Sequence, residues 1–447
     1  MQNRTADERR LLEFLTRQGL ASSNQIQSFL GKSQSAVSRL LAVLDQEVTR
    51  IGRARSTRYS IPRKIHGLNH EQSLYWTDSR GTARQIGTLM FLTGDLIHVQ
   101  AGAFETTTQG LPWYLSSWKL EGFLGRLQAQ RLATQGLDGN PDHWNTEDVL
   151  YSALQIGNHT GALEIGELSA TEPPPVLPPD AAMMDQTLDE IAEDVSRTLP
   201  AGSSAGGEQP KFLALLTAEP APSDPSQARP ALIKFSPPLG TPFGDRWHDL
   251  LQAESLAGQV LSDHGIASAR SRFQSTGHRA YLISERFDRV GARGRRHVIA
   301  IGSVHRGLLE ERYTHWGDTA RALARIGRLR YEDMQRTQSV FHFGRLIGNA
   351  DMHGGNLSFF VEPDEITSGP LEPAPIYDML PMIWKPNPAL GLETRYSPFA
   401  PDERALGSTA RPMALDFWDR LGQSQAVSQP MRETARSMAD RCRPSAT

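Results

Sequence analysis

The residues best suited to chemistry lie in one short stretch that reads Asn-Ala-Asp-Met-His-Gly-Gly-Asn. It places an acid, Asp351, five residues before an amide, Asn356, and a second isolated acid, Asp378, follows in Ile-Tyr-Asp-Met-Leu-Pro. Phosphoryl transfer needs a carboxylate that orients and deprotonates a hydroxyl, together with oxygen ligands for Mg²⁺. Asp351 suits the first role. Asn356 and Asp378 suit the second, because amide and carboxylate oxygens are hard ligands.

Other interpretations of these residues stay open. Asp351, His353 and Asp378 also fit a divalent-metal hydrolase or nuclease site, and a purely structural polar turn is a further possibility. In the phosphotransfer interpretation, His353 accompanies Asp351 in the catalytic loop and braces that loop rather than binding metal. The five-residue step from Asp351 to Asn356 is close to the spacing in the protein kinase catalytic loop, which favours phosphotransfer.

A glycine-rich loop upstream reads Gly-Ser-Ser-Ala-Gly-Gly-Glu-Gln-Pro-Lys and leads into an apolar strand. A Walker A loop needs Gly-Lys-Ser/Thr and runs from a strand into a helix, so this loop is of a different kind. It is typical of a kinase-style cover over nucleotide phosphates, because glycine lets backbone N–H groups approach phosphate oxygens. The predicted ATP contacts in the loop are Ser203, Ser204, Gly206, Gly207 and Lys211.

A lysine, Lys234, stands inside the next apolar strand, Ala-Leu-Ile-Lys-Phe. Burial of its charge costs free energy unless an anionic group pairs with it. Nucleotide phosphates are the obvious anion, and Glu254 on the following helix is expected to hold the lysine in place. A lysine at a strand edge that reaches solvent is the alternative. Glu285 and Phe287 then fall where a kinase hinge offers backbone groups to adenine.

The chain is long enough for two or three domains. Its sequence contains no apolar run of about 18 residues, so no membrane span is expected. The N-terminus leads into an amphipathic pattern and is not that of a signal peptide. One cysteine, Cys442, excludes an internal disulfide and fits a reducing cytoplasm. The formal charge of −3 is uneven, because residues 1–64 carry 12 Lys/Arg and 5 Asp/Glu. A basic N-terminal segment followed by an acidic remainder suggests that residues 1–64 bind a polyanion.

The head, residues 1–64, shows three amphipathic helical patterns followed by two β-like segments around a basic turn. The third pattern begins near Ser33 and extends through Val48. This order resembles the winged helix-turn-helix family, in which the recognition helix enters the DNA major groove. The expected DNA contacts are Gln34, Ser35, Ser38 and Arg39 on the recognition helix and Arg53, Arg55 and Arg58 in the wing. A helical interaction module with a solvated basic face is the alternative.

The rest of the chain divides into residues 66–180 and 181–440. In the first part, Gly122–Arg126 is expected in a turn region, and the proline-rich segment after Thr171 is expected to be an extended linker rather than helix or sheet. The second part holds the phosphotransfer motifs described above.

Together the motifs resemble the HipA family of serine/threonine kinases, the toxins of bacterial toxin–antitoxin systems. With the fused winged helix, the chain resembles the YjjJ-like branch of that family. The resemblance spans roughly residues 70–440 and rests on these segments: Ser-Ser-Ala-Gly-Gly-Glu-Gln-Pro-Lys, Leu-Ile-Lys-Phe, Glu-Arg-Phe-Asp-Arg, Gly-Asn-Ala-Asp-Met-His-Gly-Gly-Asn-Leu-Ser and Tyr-Asp-Met-Leu-Pro.

The resemblance implies an α+β multidomain fold, with a two-lobed kinase-like body and a mainly helical C-lobe. It also implies ATP and Mg²⁺ as cofactors, Asp351 as catalytic base, and autophosphorylation at Ser204 with Ser203 beside it. Family members target translation factors, so a protein substrate is implied, and an antitoxin partner as well. A DNA-binding regulator whose kinase-like body only senses nucleotide, and a metal nuclease directed by the head, are the competing functions.

Overall fold

The computed structural model describes residues 4–157, 159–168, 173–198, 209–217, 228–291, 293–386 and 395–444. These residues form a helical head, a middle domain built on one sheet, and a body with a sheet-containing N-lobe and a mainly helical C-lobe. None of the described helices is both long enough and apolar enough to cross a lipid bilayer.

The head contains α1 (Ala6–Gln18), α2 (Ser23–Leu30), α3 (Gln34–Val43), β1 (Thr49–Ile51) and β2 (Arg58–Ser60). Hydroxyl side chains at the N-cap positions accept N–H bonds from the first turn of each helix, which fixes where the helices begin. The expectation of a third helix through Val48 is wrong, because α3 ends at Val43. Leu44 and Val48 are still buried, because a turn closed by the Val48 N–H and the Leu44 carbonyl folds them into the head's core.

The middle domain contains β3 (Glu71–Thr77), β4 (Ala83–Leu92), β5 (Leu96–Ala101), β6 (Glu105–Gln109), α4 (Gly122–Ala133), α5 (Thr146–Gln155) and β7 (Leu163–Ile165). Its strands form an antiparallel sheet in the order β6-β5-β4-β3-β7. Gly122 and Gly125, expected in a turn, instead begin α4. Glycine is needed at 125 because a Cβ there would lie 2.7 Å from the Leu120 carbonyl carbon.

The N-lobe contains β8 (Val176–Leu177), α6 (Ala181–Thr198), β9 (Lys211–Leu216), β10 (Arg229–Phe235), α7 (Pro242–Asp263), β11 (Ser271–Ser275) and β12 (Ala280–Glu285). The strand order is β11-β12-β10-β9-β8, with β8 parallel to β9. The proline-rich segment was expected to exclude sheet, but β8 pairs along one side as an edge strand, where neighbouring prolines are tolerated. The N-lobe sheet therefore starts before residue 181.

The C-lobe is mainly helical, and its short strands pair with one another in two small sheets, β13-β14 and β15-β16-β17. Its elements are β13 (Arg289–Val290), β14 (Gly294–Arg295), β15 (Val298–Ala300), α8 (Ile301–Leu308), α9 (Trp316–Arg325), α10 (Tyr331–Leu346), β16 (Ser358–Phe360), β17 (Glu372–Pro373), α11 (Glu403–Leu406), α12 (Arg411–Gln423) and α13 (Gln429–Cys442). Buried aromatic side chains, among them Phe343, Trp384 and Trp418, fill the core between these helices.

Buried polar groups join the middle domain to the body. The Asp288 carboxylate contacts Arg286 and Arg289, each at 2.7 Å, and accepts the Gly161 N–H at 3.2 Å. Although burial opposes it, the two guanidinium groups hold the pKa of Asp288 well below its ordinary value. Arg289 also donates to the His159 carbonyl at 2.6 Å. Breaking such a buried network is costly because a charge is left without its partner.

The buried His297 makes this junction sensitive to acid. Its Nδ1 accepts the Ala162 N–H at 3.3 Å and its Nε2 donates to the Tyr114 carbonyl at 2.7 Å, so the ring is neutral. Burial lowers the pKa of His297 to about 4, against the opposing effects of the Tyr114 carbonyl and the Asp288 carboxylate. Between that value and the ordinary pKa of about 6.5, the unfolded chain binds more protons than the folded one. The free energy of unfolding therefore falls as the pH drops through this window.

We expect the free energy of unfolding to fall by roughly 2 kcal/mol between pH 7 and pH 5 from this histidine alone. Urea titrations at the two pH values measure the difference. His297→Gln should remove most of this pH dependence, whereas His143→Gln, at an exposed histidine of the middle domain, should leave it in place. An unchanged pH dependence in His297→Gln would contradict the assignment.

Candidate active site

The N-lobe buries a lysine against a glutamate. Lys234 lies on β10 with 6% of its surface exposed, and Glu254 lies on α7 with 8% exposed. The Lys234 Nζ is 2.7 Å from Glu254 Oε1 and 2.9 Å from Oε2. It also contacts the Asp378 carboxylate from the C-lobe. The expectation that Glu254 meets this lysine agrees with the structure, and Asp378 adds a contact from the C-lobe to the pair.

A second lysine stands beside the first on the sheet. Lys211 on β9 is the direct cross-strand partner of Lys234, and such partners point to the same face of a sheet. Burial lowers the pKa of Lys234, the Glu254 carboxylate opposes that shift, and the positive charge of Lys211 adds to it. Two neighbouring ammonium groups make this face of the sheet attractive to an anionic ligand.

The segment after α10 folds into a tight loop around Asp351. The Asp351 carbonyl accepts the Asn356 Nδ2 at 2.9 Å and the His353 N–H at 2.9 Å. The Asp351 side chain itself is 47% exposed, and neither of these bonds uses its carboxylate oxygens. The loop thus holds its own backbone closed while leaving a carboxylate accessible, which is the arrangement that a general base requires.

His353 supports this loop. Its Nδ1 accepts the Gly355 N–H at 2.9 Å, and its carbonyl accepts the Trp316 Nε1–H at 2.9 Å. Its Nε2 is 4.0 Å from an Asp351 carboxylate oxygen. These contacts agree with a bracing role for His353. The loop also approaches α8 closely, since a Cβ on Gly354 would lie 2.8 Å from the Gly302 Cα.

Asp378 has an unusual backbone and reaches the same loop. Its φ is +54°, a left-handed value that few residues other than glycine adopt and that is often found at functional sites. The Asn349 Nδ2 donates to the Asp378 carbonyl at 3.2 Å, while the Asn349 Oδ1 accepts the Asp351 N–H at 3.0 Å. Asn349 therefore joins the two acidic motifs, although the sequence reasoning assigned it no role.

The side-chain oxygens of Asn356 and Asp378 are of the kinds that bind Mg²⁺. Asn356 is 8% exposed, and because its Nδ2 donates to the Asp351 carbonyl, its Oδ1 is directed elsewhere. Among the residues that the structure describes, no group of three or more histidine, cysteine or acidic side chains is arranged to hold a metal ion. One carboxylate and one amide nevertheless fit Mg²⁺, which usually binds one or two protein oxygens and completes its shell with phosphate oxygens and water.

The two predicted hinge residues, Glu285 and Phe287, lie in environments that differ from each other. The Glu285 carboxylate pairs with Arg229, and its N–H donates to the Arg270 carbonyl at 2.8 Å. An adenine contact at Glu285 would therefore use another backbone group. Phe287 packs edge-on against Phe360 and lies 5.6 Å from the Tyr377 ring, next to Asp378. Phe287 thus helps to position the segment that carries Asp378.

Comparison with known proteins places these motifs in one family. Residues 203–445 match the HipA-like C-terminal domain, and residues 68–172 match the middle domain of YjjJ-like toxins. The toxin YjjJ of Escherichia coli K12 is 34% identical over 440 residues, covering 95% of this chain and 96% of that protein. The chain belongs to the HipA/YjjJ-like toxin family.

Further relatives agree with this membership. HipA of Shewanella oneidensis MR-1, solved in a complex with HipB and operator DNA, superposes with a TM-score of 0.56 and 18% identity. The match covers 83% of this chain and 96% of HipA, and at this identity it shows a shared fold. The putative kinase Y4mE of Sinorhizobium fredii is 25% identical over 291 residues, covering 60% of this chain and 61% of that protein.

Part of the predicted HipA-type site lies outside the described residues. These are the loop positions Ser203, Ser204, Gly206 and Gly207. The head lies before both matched ranges. Its predicted DNA contacts are all exposed, on α3 for the first four and in or beside the hairpin for the rest: Gln34, Ser35, Ser38, Arg39, Arg53, Arg55 and Arg58.

Proposed function

We propose that this protein is an ATP- and Mg²⁺-dependent protein serine/threonine kinase with a DNA-binding head. The main support is that direct contacts join functional groups from distant parts of the chain. Lys234 meets Glu254 and Asp378, and Asn349 joins the Asp378 backbone to that of Asp351. A lysine–glutamate pair beside a base and two magnesium ligands is the arrangement that protein kinases use.

Each side chain has a distinct part in the proposed reaction. Asp351 accepts the proton of the acceptor hydroxyl, whose oxygen forms a bond to the γ-phosphorus of ATP as the bond to the β–γ bridging oxygen breaks and ADP leaves. Lys234 holds phosphate oxygens, and Glu254 orients Lys234. Asn356 and Asp378 would hold Mg²⁺, which when bound neutralises charge on the phosphates. His353 keeps the Asp351 loop in shape.

Family membership extends the proposal to substrate and regulation. A serine or threonine of another protein, such as a translation factor, is the proposed acceptor. Ser204, with Ser203 beside it, is the proposed site of autophosphorylation in the glycine-rich loop. Added negative charge there would repel the phosphates of a nucleotide, so modification is expected to switch the enzyme off.

Incubation of the purified protein with γ-labelled ATP, beside Asp351→Ala, tests this function. The proposal predicts label in the wild-type protein, on the peptide that carries Ser203 and Ser204, and none in the variant. Nucleotide binding without label would favour a regulator that senses nucleotide. DNA cleavage that disappears in Asp351→Ala would favour a nuclease. The contact of His353 Nδ1 with the Gly355 N–H favours the kinase, because the nuclease site would need His353 for metal whereas the kinase site does not.

The head is proposed to bind DNA, through which the protein regulates its own operon. Two observations support this. The exposed N-terminal half of α3 carries polar side chains on the side away from the core, and the hairpin after it presents arginines. In helix-turn-helix proteins the corresponding helix reads base edges while basic side chains contact phosphates.

The wing arginines should supply salt-sensitive affinity. Each phosphate contact contributes about 0.9 to the slope of log K against log salt concentration, so replacing Arg53, Arg55 and Arg58 with glutamine should reduce that slope by about 2 to 3. The loss of affinity should be similar for all DNA sequences. Fluorescence anisotropy with labelled duplexes at several salt concentrations measures both quantities.

A matched control variant carries the same net charge change, because it replaces three exposed arginines of the other domains with glutamine: Arg131, Arg312 and Arg404. This triple glutamine variant should bind DNA like the wild type. Equal loss of affinity in the two triple variants would show that overall charge, rather than the head, attracts DNA.

A further inference from the structure

Asn349 is a buried amide in the turn that follows α10. Only 2% of its surface is exposed, and its own N–H donates to the Gly344 carbonyl at 2.8 Å. A buried amide has several donors and acceptors, and each group left without a partner costs free energy. Its partners therefore reveal what holds it there.

The two ends of the Asn349 side chain bind two different functional segments. Oδ1 accepts the Asp351 N–H at 3.0 Å, so it fixes the backbone of the proposed base. Nδ2 donates to the Asp378 carbonyl at 3.2 Å and lies 3.5 Å from the Met379 Sδ. A single planar group thus sets the distance between the loop of the base and the segment of the metal ligand.

The surroundings leave this amide little freedom. A Cβ on Gly344 would lie 2.3 Å from the Met352 Sδ and 3.2 Å from the Met379 Sδ, so both methionines pack tightly against α10 beside Asn349. Asp378 meanwhile holds a left-handed backbone, with a φ of +54°. Such a conformation persists only where surrounding contacts maintain it, and the hydrogen bond from Asn349 is one such contact.

We infer that Asn349 is a positioning residue that keeps the Asp378 carboxylate at the metal site and in register with Asp351. This inference rests on the proposed function, since it assigns Asn349 a role toward the ligands of that site. Asn349 acts through the Asp378 backbone and touches neither nucleotide nor metal. Partners that orient metal ligands typically change metal affinity or activity by about 10- to 100-fold when they are lost.

The test is Mg²⁺-dependent binding of a non-hydrolysable ATP analogue to the full-length chain. Asn349→Leu has a similar volume and removes both hydrogen bonds. We expect the Mg²⁺ concentration at half-maximal binding to rise about 10- to 100-fold, while binding of the analogue without metal stays close to that of the wild type. If the leucine variant does not fold, Asn349→Ser is tested in its place, because it is a smaller change. It should shift the Mg²⁺ requirement in the same direction.

Asn145→Ala is the matched control, because it removes an amide that caps α5 in the middle domain. Its stability should fall without any change in the Mg²⁺ requirement. A wild-type Mg²⁺ requirement in a folded Asn349 variant would overturn the inference. Absence of Mg²⁺-dependent binding in the wild-type protein would instead overturn the proposed function, so the two failures are distinct.

Discussion

Asp351→Asn should slow phosphotransfer by about 10²- to 10⁴-fold, the usual contribution of a general base. Asparagine has nearly the same shape as aspartate but cannot accept the proton of the acceptor hydroxyl. The loop should keep its form, because its bonds use the Asp351 backbone rather than the carboxylate. Single-turnover assays with a protein substrate or with the glycine-rich loop as acceptor measure the rate.

Nucleotide affinity distinguishes a lost base from a damaged site. It should stay near the wild-type value in Asp351→Asn, because the cationic contacts of Lys234 are intact. Asp364→Asn changes an exposed carboxylate elsewhere in the C-lobe and should leave both rate and affinity unchanged. A near wild-type rate in Asp351→Asn would remove Asp351 from the catalytic role.

Lys234→Met should lower the free energy of unfolding by about 3 to 5 kcal/mol. The lysine is the cation that lies between Glu254 and Asp378, and its removal leaves two carboxylates near each other, one of them almost fully buried. ATP binding should be lost as well, because the phosphates lose their buried cation. Urea denaturation and calorimetric titration with nucleotide measure the two effects.

A double replacement separates stability from function. Lys234→Met with Glu254→Leu removes both charges of the buried pair and should recover much of the stability, since a well-packed apolar pair often replaces a buried ion pair without loss. Phosphotransfer should remain absent. Lys119→Met, at an exposed lysine, should change neither property. Wild-type stability in the single variant Lys234→Met would contradict the role given to this ion pair.

The sequence predicted those parts of the site whose residue types form a recognisable pattern along the chain. A charge inside an apolar strand and a glutamate on the next helix indicated the pair Lys234–Glu254, because burial of one charge requires another. Asn349 was assigned no role, because an asparagine two residues before an aspartate gives no periodic signal and its side-chain partners are 2 and 29 residues away. Such a role is visible only from tertiary contacts.

The errors in secondary structure also have physical causes. Apolar spacing predicted a third head helix through Val48, but Leu44 and Val48 are buried just as well by a turn, and spacing does not distinguish the two. Prolines near Val176 suggested a linker, but an edge strand of two residues needs few N–H donors. Gly125 suggested a turn, but it permits close packing of α4 on Leu120.

The central claim is that Lys234, Asn356 and Asp378 surround one magnesium–nucleotide complex that faces Asp351. Crystals of the full chain grown with Mn²⁺ and a non-hydrolysable ATP analogue test it directly through anomalous scattering. The account predicts a Mn²⁺ peak about 2.0 to 2.2 Å from an Asp378 carboxylate oxygen and from Asn356 Oδ1, with a phosphate oxygen at Lys234 Nζ. A metal bound elsewhere, or a nucleotide whose phosphates avoid Lys234, would contradict the claim.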